Sequence, residues 1–137
     1  MLNRFHRAVV RRTGGRLGRH AFGMAVIELH TTGRRSGLER TTMLTVPVRD
    51  ADALVVVASK GGDDWHPGWL GNLVARPEVA VTLEGVRRPM RARVAGPEEA
   101  AHLWPRVVAR YGPYEGYRRR AERPIPLVVL EPIAPES

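Results

Sequence analysis

The chain has 137 residues, long enough for one packed domain and too short for two full domains. Its 22 Lys+Arg against 14 Asp+Glu give a formal net charge of +8, and 43% of the residues are hydrophobic. This composition is typical of a globular protein with an anionic partner. The sequence contains no cysteine, which excludes disulfides, thiolate catalysis and cysteine-ligated metal centres.

Residues 1–22 form a basic segment distinct from the rest of the chain. Its arginines, with no acidic residue among them, surround apolar residues at near-helical spacing (Leu2, Phe5, Val9 and Val10). This pattern predicts an amphipathic N-terminal helix that either lies on an anionic membrane surface or covers the core with its arginines solvated. No apolar run reaches the roughly 18 residues that span a bilayer, and no signal-peptide pattern occurs. We therefore expect a cytoplasmic protein, with or without peripheral contact at the inner face of the cell membrane.

Residues 23–133 are predicted to form the core domain, and residues 134–137 a tail. Apolar and β-branched runs predict strands at 24–30, 41–48, 54–58, 79–84, 87–94 and 125–130. The continuously apolar run 54–58 indicates a central strand, whereas Pro89 and the arginines of 87–94 favour an edge strand. Short helices are predicted at 67–75, 96–111 and 114–121, and Pro105 is expected to kink or split the second. Five or six mostly antiparallel strands with inserted helices predict an α+β fold built on a small barrel.

The predicted turn at 31–37, followed by Arg40, is the first candidate binding segment. It combines the guanidinium groups of Arg34, Arg35 and Arg40 with hydroxyl groups and two glycines. Arginine forks match phosphate and carboxylate, and glycine-rich backbone exposes N–H donors. The segment therefore predicts an anion site, with a solvated turn as the alternative.

A second candidate segment begins where the predicted central strand ends. Ser59 and Lys60, the only lysine of the chain, precede Gly61 and Gly62, and a predicted helix follows. A strand end, two glycines and a helix start together form a cradle for an anion and the edge of a flat ring. Within that helix, Trp69 and Asn72 are three residues apart and so share one face. His66, in the loop between, is either a proton donor or an exposed loop histidine.

The tyrosines form the third candidate segment, because Tyr111, Tyr114 and Tyr117 are the only three in the chain. Spaced by three, they line one wall of a pocket and present phenol rings to a flat ligand, or they pack a helical turn. No hydrolase motif occurs, and the five histidines show no metal-ligand spacing. A redox reaction on a bound cofactor fits these segments better than hydrolysis does.

The order of these motifs resembles the deazaflavin-dependent nitroreductase family of actinobacteria. The resemblance covers residues 24–132 and rests on HTTGRRSG at 30–37, Arg40, VVASKGG at 56–62, HPGW at 66–69, Asn72, Trp104-Pro105, the three tyrosines and the segment 123–132. It implies a split β-barrel of the FMN-binding type. It also implies that the cofactor is coenzyme F-420, a deazaflavin with a phosphate and a polyglutamate tail.

The resemblance also implies roles for individual residues. Those implied to bind the cofactor are Arg34, Arg35, Ser36, Arg40 and Lys60 at the phosphate and tail, Ser59, Gly61 and Gly62 along the deazaflavin, and Trp69 and Asn72 at the adjoining wall. Tyr111, Tyr114 and Tyr117 match the substrate-side tyrosines of the family. Met43 and Thr45 replace a usual proline and a frequent aromatic residue, which predicts a wider or more polar substrate pocket.

The implied reaction is hydride transfer from reduced deazaflavin to a quinone, an activated alkene (enone) or a nitroaromatic acceptor. Tyr111 or Tyr117 would donate a hydrogen bond to the oxyanion that develops on the acceptor. FMN or haem in the same fold is one alternative, although the arginine cluster favours the additional carboxylates of the deazaflavin. A non-enzymatic module for an anionic surface is the second alternative, and the lack of a nucleic-acid motif argues against a nucleic-acid partner. We expect no bound metal, and either a monomer or a homodimer.

Overall fold

Eight strands and three helices make up the part of the chain that the computed structural model describes, residues 20–59, 67–121 and 123–133. The strands are β1 (His20–Ala21), β2 (Met24–Thr32), β3 (Glu39–Val46), β4 (Val48–Asp50), β5 (Ala53–Val57), β6 (Glu78–Leu83), β7 (Val86–Val94) and β8 (Leu127–Pro132). The helices are α1 (Gly68–Ala75), α2 (Pro97–Arg110) and α3 (Pro113–Arg120). The α+β class is therefore confirmed, with more strands than the five or six predicted.

The strands form one antiparallel sheet that curls back towards itself. From one edge to the other, its order is β3, β2, β6, β7, β8, β5 and β4, and the short β1 also pairs with β2. The edge strands β3 and β4 are separated in the chain by Pro47 alone. Because so short a connection joins opposite edges, the sheet must curl, and this is consistent with the predicted split barrel.

Two apolar cores lie on the two faces of the curled sheet. The first core contains Ile27, Leu29 and Val56 from the sheet together with Leu70 and Leu73 from α1. The second lies between the other face of the sheet and helices α2 and α3; it includes Met24, Val55, Val57, Leu103, Trp104, Val107, Tyr114, Leu127 and Val129. Strands β5 and β8 are thus buried on both faces, which explains their continuously apolar sequences.

Most predicted elements are confirmed within a few residues. Strand β5 lies between β4 and β8, as its apolar sequence predicts. The predicted strand 41–48 is two strands, because pairing stops at Pro47, which has no N–H to donate. Helix α2 runs through Pro105 as one continuous element and is not split. Its packing against the second core compensates for the hydrogen bond that the proline cannot make.

The prediction that strand 87–94 lies at an edge is wrong, because β7 pairs with both β6 and β8. Pairing with β8 begins only at Met90, and the carbonyl of Pro89 accepts a hydrogen bond from Ile133 N at 3.4 Å. Since N–H and C=O of one strand residue point the same way, the missing N–H of Pro89 faces this loosely paired side. Three of the four arginines of β7 pair instead with acidic residues of neighbouring elements, in Arg87–Glu39, Arg91–Glu78, Arg93–Glu99 and Arg93–Glu131.

Several predictions concern residues outside the described ranges. The N-terminal helix is predicted at 1–22, and of that segment the structure describes only the strand β1 and the turn after it. Lys60, Gly61, Gly62 and His66 also lie outside the described residues. Among the helices that are described, none is long and apolar enough to cross a membrane.

Candidate active site

A cavity of about 990 Å³ opens beside the β2–β3 turn, the edge strand β3 and the start of helix α1. Its wall contains every predicted cofactor-binding residue that lies within the described ranges: Arg34, Arg35, Ser36, Arg40, Ser59, Trp69 and Asn72. The fold thus brings the basic turn and the segment after β5 to one place, although they are distant in the sequence. The size suits a cofactor together with a small substrate.

Hydrogen bonds within the β2–β3 turn fix its shape. Gly33 N donates to the carbonyl of Leu38 (2.7 Å), and Gly37 N donates to the carbonyl of Gly33 (2.8 Å). Gly37 has a φ of +73°, which glycine adopts without the strain that a side chain would cause. Oγ of Ser36 accepts a hydrogen bond from Leu38 N at 3.1 Å. The turn is therefore internally bonded, and Arg35 lies exposed at the cavity.

Arg34 connects this turn to helix α1. Its backbone N–H donates to Oδ1 of Asn72 at 3.1 Å, and its Nη1 donates to the same oxygen at 2.8 Å. The same Nη1 lies 3.0 Å from the carbonyl oxygen of Gly68. Asn72 is buried, and its Nδ2 donates to Oγ1 of Thr31 at 3.2 Å. These bonds hold together the β2–β3 turn and helix α1, two of the elements that form the cavity wall.

Gly71 is a contributor to the site that the sequence analysis missed. A Cβ atom at this position would lie 2.8 Å from Cζ and 2.9 Å from Nη1 of Arg34. The missing side chain therefore leaves the space in which the guanidinium lies against α1. A glycine inside a predicted helix costs helix stability relative to alanine, and this was the one signal that could have identified it.

The edge strand β3 lines the cavity with both of its faces. Successive strand residues point to opposite faces of a sheet, yet Thr41, Thr42, Met43 and Leu44 all belong to the wall. This is possible because β3 pairs only with β2 and leaves its other edge open. Met43, predicted to change the substrate pocket, is thus in the cavity wall.

The tyrosine cluster consists of Tyr114 and Tyr117 on α3 and of Tyr111, which follows α2. The hydroxyl of Tyr114 is 2.8 Å from Oγ1 of Thr45, and Tyr114 is 7% exposed. Its ring lies edge-on to Tyr111 (5.1 Å between centroids) and to Tyr117 (5.8 Å), and Tyr111 also contacts Phe22. Among the described residues, the wall of the large cavity includes none of the three tyrosines and not Thr45. The three tyrosines and Thr45 thus lie apart from the predicted cofactor residues, whereas Met43 lies among them.

The pKa values of Tyr111 and Tyr114 are raised, so these two phenols remain protonated at neutral pH. Burial raises the pKa of Tyr114, and the hydrogen bond with Thr45 partly opposes that change. Desolvation, followed by the hydrogen bond with Tyr117, raises the pKa of Tyr111. Both hydroxyl groups are consequently able to donate a hydrogen bond.

His30 forms a polar cluster behind the cavity wall. Its Nδ1 is 2.8 Å from Oγ1 of Thr41 and its Nε2 is 2.8 Å from Oγ1 of Thr82, so it joins β2 to both neighbouring strands. Carboxylate oxygens of Glu28 and Glu39 lie 4.0 Å and 3.9 Å from the ring nitrogens. No group of three or more histidine, aspartate and glutamate side chains within the described residues is placed to hold a metal ion.

The arginines of the chain differ in their partners. Arg87, Arg91, Arg93 and Arg106 form ion pairs with nearby carboxylates. The hydrogen bonds that Arg93 donates to Glu99 and Glu131 raise the pKa of Arg93. The hydrogen bond that Arg106 donates to Asp50 lowers the pKa of Asp50. Within the described ranges, Arg35 and Arg40 form no ion pair. The cavity wall thus holds cationic groups that no carboxylate of the described chain neutralises.

A curled antiparallel sheet with a basic cavity at its open edge defines a ligand-binding protein of the split-barrel class. Residues 2–132 match the F420H(2)-dependent quinone reductase family, and the chain belongs to that family. This match confirms the resemblance to deazaflavin-dependent reductases, and the family that the chain matches is named for quinone reduction.

Individual relatives agree with this assignment. The chain is 42% identical over 133 residues to the F420H(2)-dependent quinone reductase Rv1261c of Mycobacterium tuberculosis, covering 94% of this chain and 89% of that protein. It is 36% identical to a solved F420-H2 dependent reductase (FDR-A), with a TM-score of 0.70 over 77% of this chain and 93% of the other. A second solved structure, a domain-swapped dimer, is 33% identical, with a TM-score of 0.72 over 91% of this chain and 98% of the other.

Proposed function

We propose that this protein is an oxidoreductase that transfers a hydride from reduced coenzyme F-420 to a quinone. The observation that carries the proposal is the basic cavity at the open edge of the sheet, in a chain that belongs to the F420H(2)-dependent quinone reductase family. A 42% identical relative with the same activity in its name supports it. Enones and nitroaromatic compounds are further acceptors of the same electrophilic kind.

The residues of the cavity fit the chemistry of this cofactor. Its phosphate and carboxylates require cationic forks, and Arg35 and Arg40 supply two that no carboxylate of the described chain pairs. Its flat ring system requires apolar surface, which Trp69, Met43 and Leu44 supply in the same wall. FMN is not needed to explain the site, because it lacks the additional carboxylates that a cluster of arginines suits.

When bound, the reduced coenzyme supplies the hydride, and the acceptor takes up that hydride and a proton. The chain contributes binding and orientation: Arg35, Ser36 and Arg40 hold the anionic groups, and Ser59 and Asn72 shape the wall beside the ring. Lys60, Gly61 and Gly62 are proposed to complete this binding segment. Met43 and Leu44, in the same wall, would exclude water from the bound ring, which would strengthen the electrostatic interactions in the site.

We assign the acceptor side of the reaction to the tyrosine cluster. Tyr111 and Tyr117 are each half-buried, and desolvation raises the pKa of Tyr111, which supports a role as neutral hydrogen-bond donor to the acceptor oxygen. Tyr114 is the substrate-side tyrosine whose hydroxyl bonds to Thr45. It therefore positions the cluster against β3 and shapes the acceptor pocket.

The experiment that tests the function is an anaerobic assay of reduced coenzyme F-420 with a soluble quinone, followed by the loss of cofactor absorbance. Titration of tryptophan fluorescence with oxidised coenzyme F-420 and with FMN separates the two cofactors, since Trp69 lies in the cavity wall. We expect turnover with the quinone and tight binding of coenzyme F-420. Tight binding of FMN with no binding of the deazaflavin would refute the proposal.

We further propose that the protein forms a homodimer and that residues 1–22 contact a membrane surface. The domain-swapped dimer among the solved relatives supports a homodimer, which sedimentation equilibrium tests. The basic N-terminal segment supports peripheral contact with anionic lipid, which co-sedimentation with phosphatidylglycerol vesicles tests against phosphatidylcholine vesicles. Binding to neither kind of vesicle would overturn the proposed membrane contact.

A further inference from the structure

Arg34 donates three hydrogen bonds that connect the β2–β3 turn to helix α1. We propose that Arg34 is a positioning residue: its bonds to Gly68 and Asn72 lock the turn against α1, and Arg35 and Arg40 are the guanidinium groups that take the anionic ligand. This inference rests on the proposed function only for the identity of the ligand. It divides the three arginines of the segment, which the sequence treats alike, into two roles.

The hydrogen-bonding capacity of Asn72 supports this division. Oδ1 accepts from the backbone N–H of Arg34 and from its Nη1, at 3.1 Å and 2.8 Å. Nδ2 donates to Oγ1 of Thr31 at 3.2 Å, and the side chain is 7% exposed. An amide oxygen has two acceptor sites, so both are used within the protein. Oδ1 of Asn72 therefore has no acceptor site left for a ligand, and its role is to hold Arg34.

Gly71 gives an independent argument for the same lock. A Cβ atom there would approach the guanidinium of Arg34 to 2.8 Å. Glycine in the interior of a helix destabilises it relative to alanine, so its presence in the eight-residue α1 needs a compensating interaction. Close contact between the helix backbone and the guanidinium supplies that interaction.

Arg35 and Arg40 lack a corresponding internal partner. Neither forms an ion pair with a described carboxylate, and both lie at the cavity and are exposed. Charge-assisted bonds from such groups to phosphate or carboxylate are strong because the acceptor is ionised. Nη1 of Arg34 is thus bonded within the protein, whereas the guanidinium groups of Arg35 and Arg40 have no such bond to the described residues.

A double-mutant cycle tests the lock. Gly71→Ala should raise the Kd for oxidised coenzyme F-420 at least fivefold in the wild-type background and less than twofold in the Arg34→Ala background. The effect disappears in the second background because the added methyl group then has no guanidinium to displace. The control is Gly96→Ala, at the N-terminus of α2, where a Cβ meets no atom within 4 Å, and the Kd should stay unchanged. Equal effects of Gly71→Ala in both backgrounds would overturn the proposal.

Unfolding of the ligand-free protein separates positioning from direct binding. Arg34→Ala and Arg34→Lys should both lower Tm by several degrees, because lysine cannot reproduce the bonds to Gly68 and Asn72. Arg35→Ala should leave Tm within one degree while weakening binding of inorganic phosphate and of coenzyme F-420. An unchanged Tm for Arg34→Ala, with affinity retained in Arg34→Lys, would make Arg34 a direct ligand. These unfolding measurements need no cofactor, so their outcome does not depend on whether the protein reduces quinones.

Discussion

The basic turn with helix α1 and the tyrosine cluster on helix α3 use their hydrogen bonds differently. In the turn, Arg34, Asn72 and the backbone satisfy one another, and Arg35 and Arg40 remain available at the cavity. On α3, the hydroxyl of Tyr114 bonds to the sheet and ring edges pack against one another. The first region is thus arranged to bind charge and the second to hold a rigid aromatic wall. Because the two regions share no side chain, anion binding and acceptor recognition should be separable by mutation.

The largest expected effect is on anion binding. Replacing Arg35 and Arg40 together by alanine should weaken binding of oxidised coenzyme F-420 at least 100-fold, since hydrogen bonds to charged groups contribute about 1.5–3 kcal/mol each. Fluorescence titration measures this loss. The Arg118→Ala/Arg119→Ala double variant removes the same charge from α3, and we expect less than a twofold change. A comparable loss in both double variants would show that overall charge, and not the basic turn, binds the coenzyme.

The next effect separates turnover from cofactor binding. Tyr111→Phe should lower kcat for quinone reduction about tenfold, which corresponds to about 1.4 kcal/mol of activation free energy, because the developing oxyanion loses a hydrogen-bond donor. The Kd for oxidised coenzyme F-420 should not change, because Tyr111 is outside the cavity wall. Steady-state assays and fluorescence titration measure the two quantities. Unchanged turnover in both Tyr111→Phe and Tyr117→Phe would remove the tyrosines from the reaction.

The two regions also differ in how far the sequence predicted them. Most of the strands and all three described helices followed from apolar patterning, whereas β1 and the break between β3 and β4 did not. The closeness of the basic turn to the segment after β5 followed from the order of motifs. The central position of β7 was not predicted, because Pro89 and the arginines of this strand are typical of an edge strand. Pro89 fits in a central strand because β8 begins to pair only at Met90. Arg93 fits there because carboxylates of other elements pair with it. Such partners are set by tertiary structure, which a single strand sequence does not contain.

Within the site, residue types were predictable and their division of roles was not. The sequence places Arg34 next to Arg35 and gives no reason to distinguish them. The distinction comes from Asn72, 38 residues further along the chain, and from the missing side chain of Gly71. His30 was likewise visible only as part of a motif, whereas its two threonine partners lie on different strands. Long-range hydrogen bonds of this kind have no local sequence signal.

A smaller effect tests the rigidity of the aromatic wall. Tyr114→Phe and Thr45→Val should each lower the free energy of unfolding by about 1 kcal/mol, the typical net contribution of a buried hydrogen bond. The double variant should lose little more than either single variant, because both remove the same bond. Urea denaturation measures all three. Additive losses would show that the two hydroxyl groups contribute independently.

The smallest expected effect is a pH dependence confined to the tyrosine region. Burial raises the pKa of Tyr114 above the ordinary value of 10.0, so above that pH the unfolded chain binds fewer protons at this residue than the folded chain. Its stabilising contribution is therefore complete below about pH 10 and is lost as the pH rises towards the folded pKa. Wild type should exceed Tyr114→Phe in stability at pH 8, and the difference should shrink at pH 11, as measured by urea denaturation at both values. A difference that stays constant or grows would mean that the folded protein does not disfavour ionisation of Tyr114, and the aromatic wall would then be more open to solvent than its packing against Tyr111 and Thr45 implies.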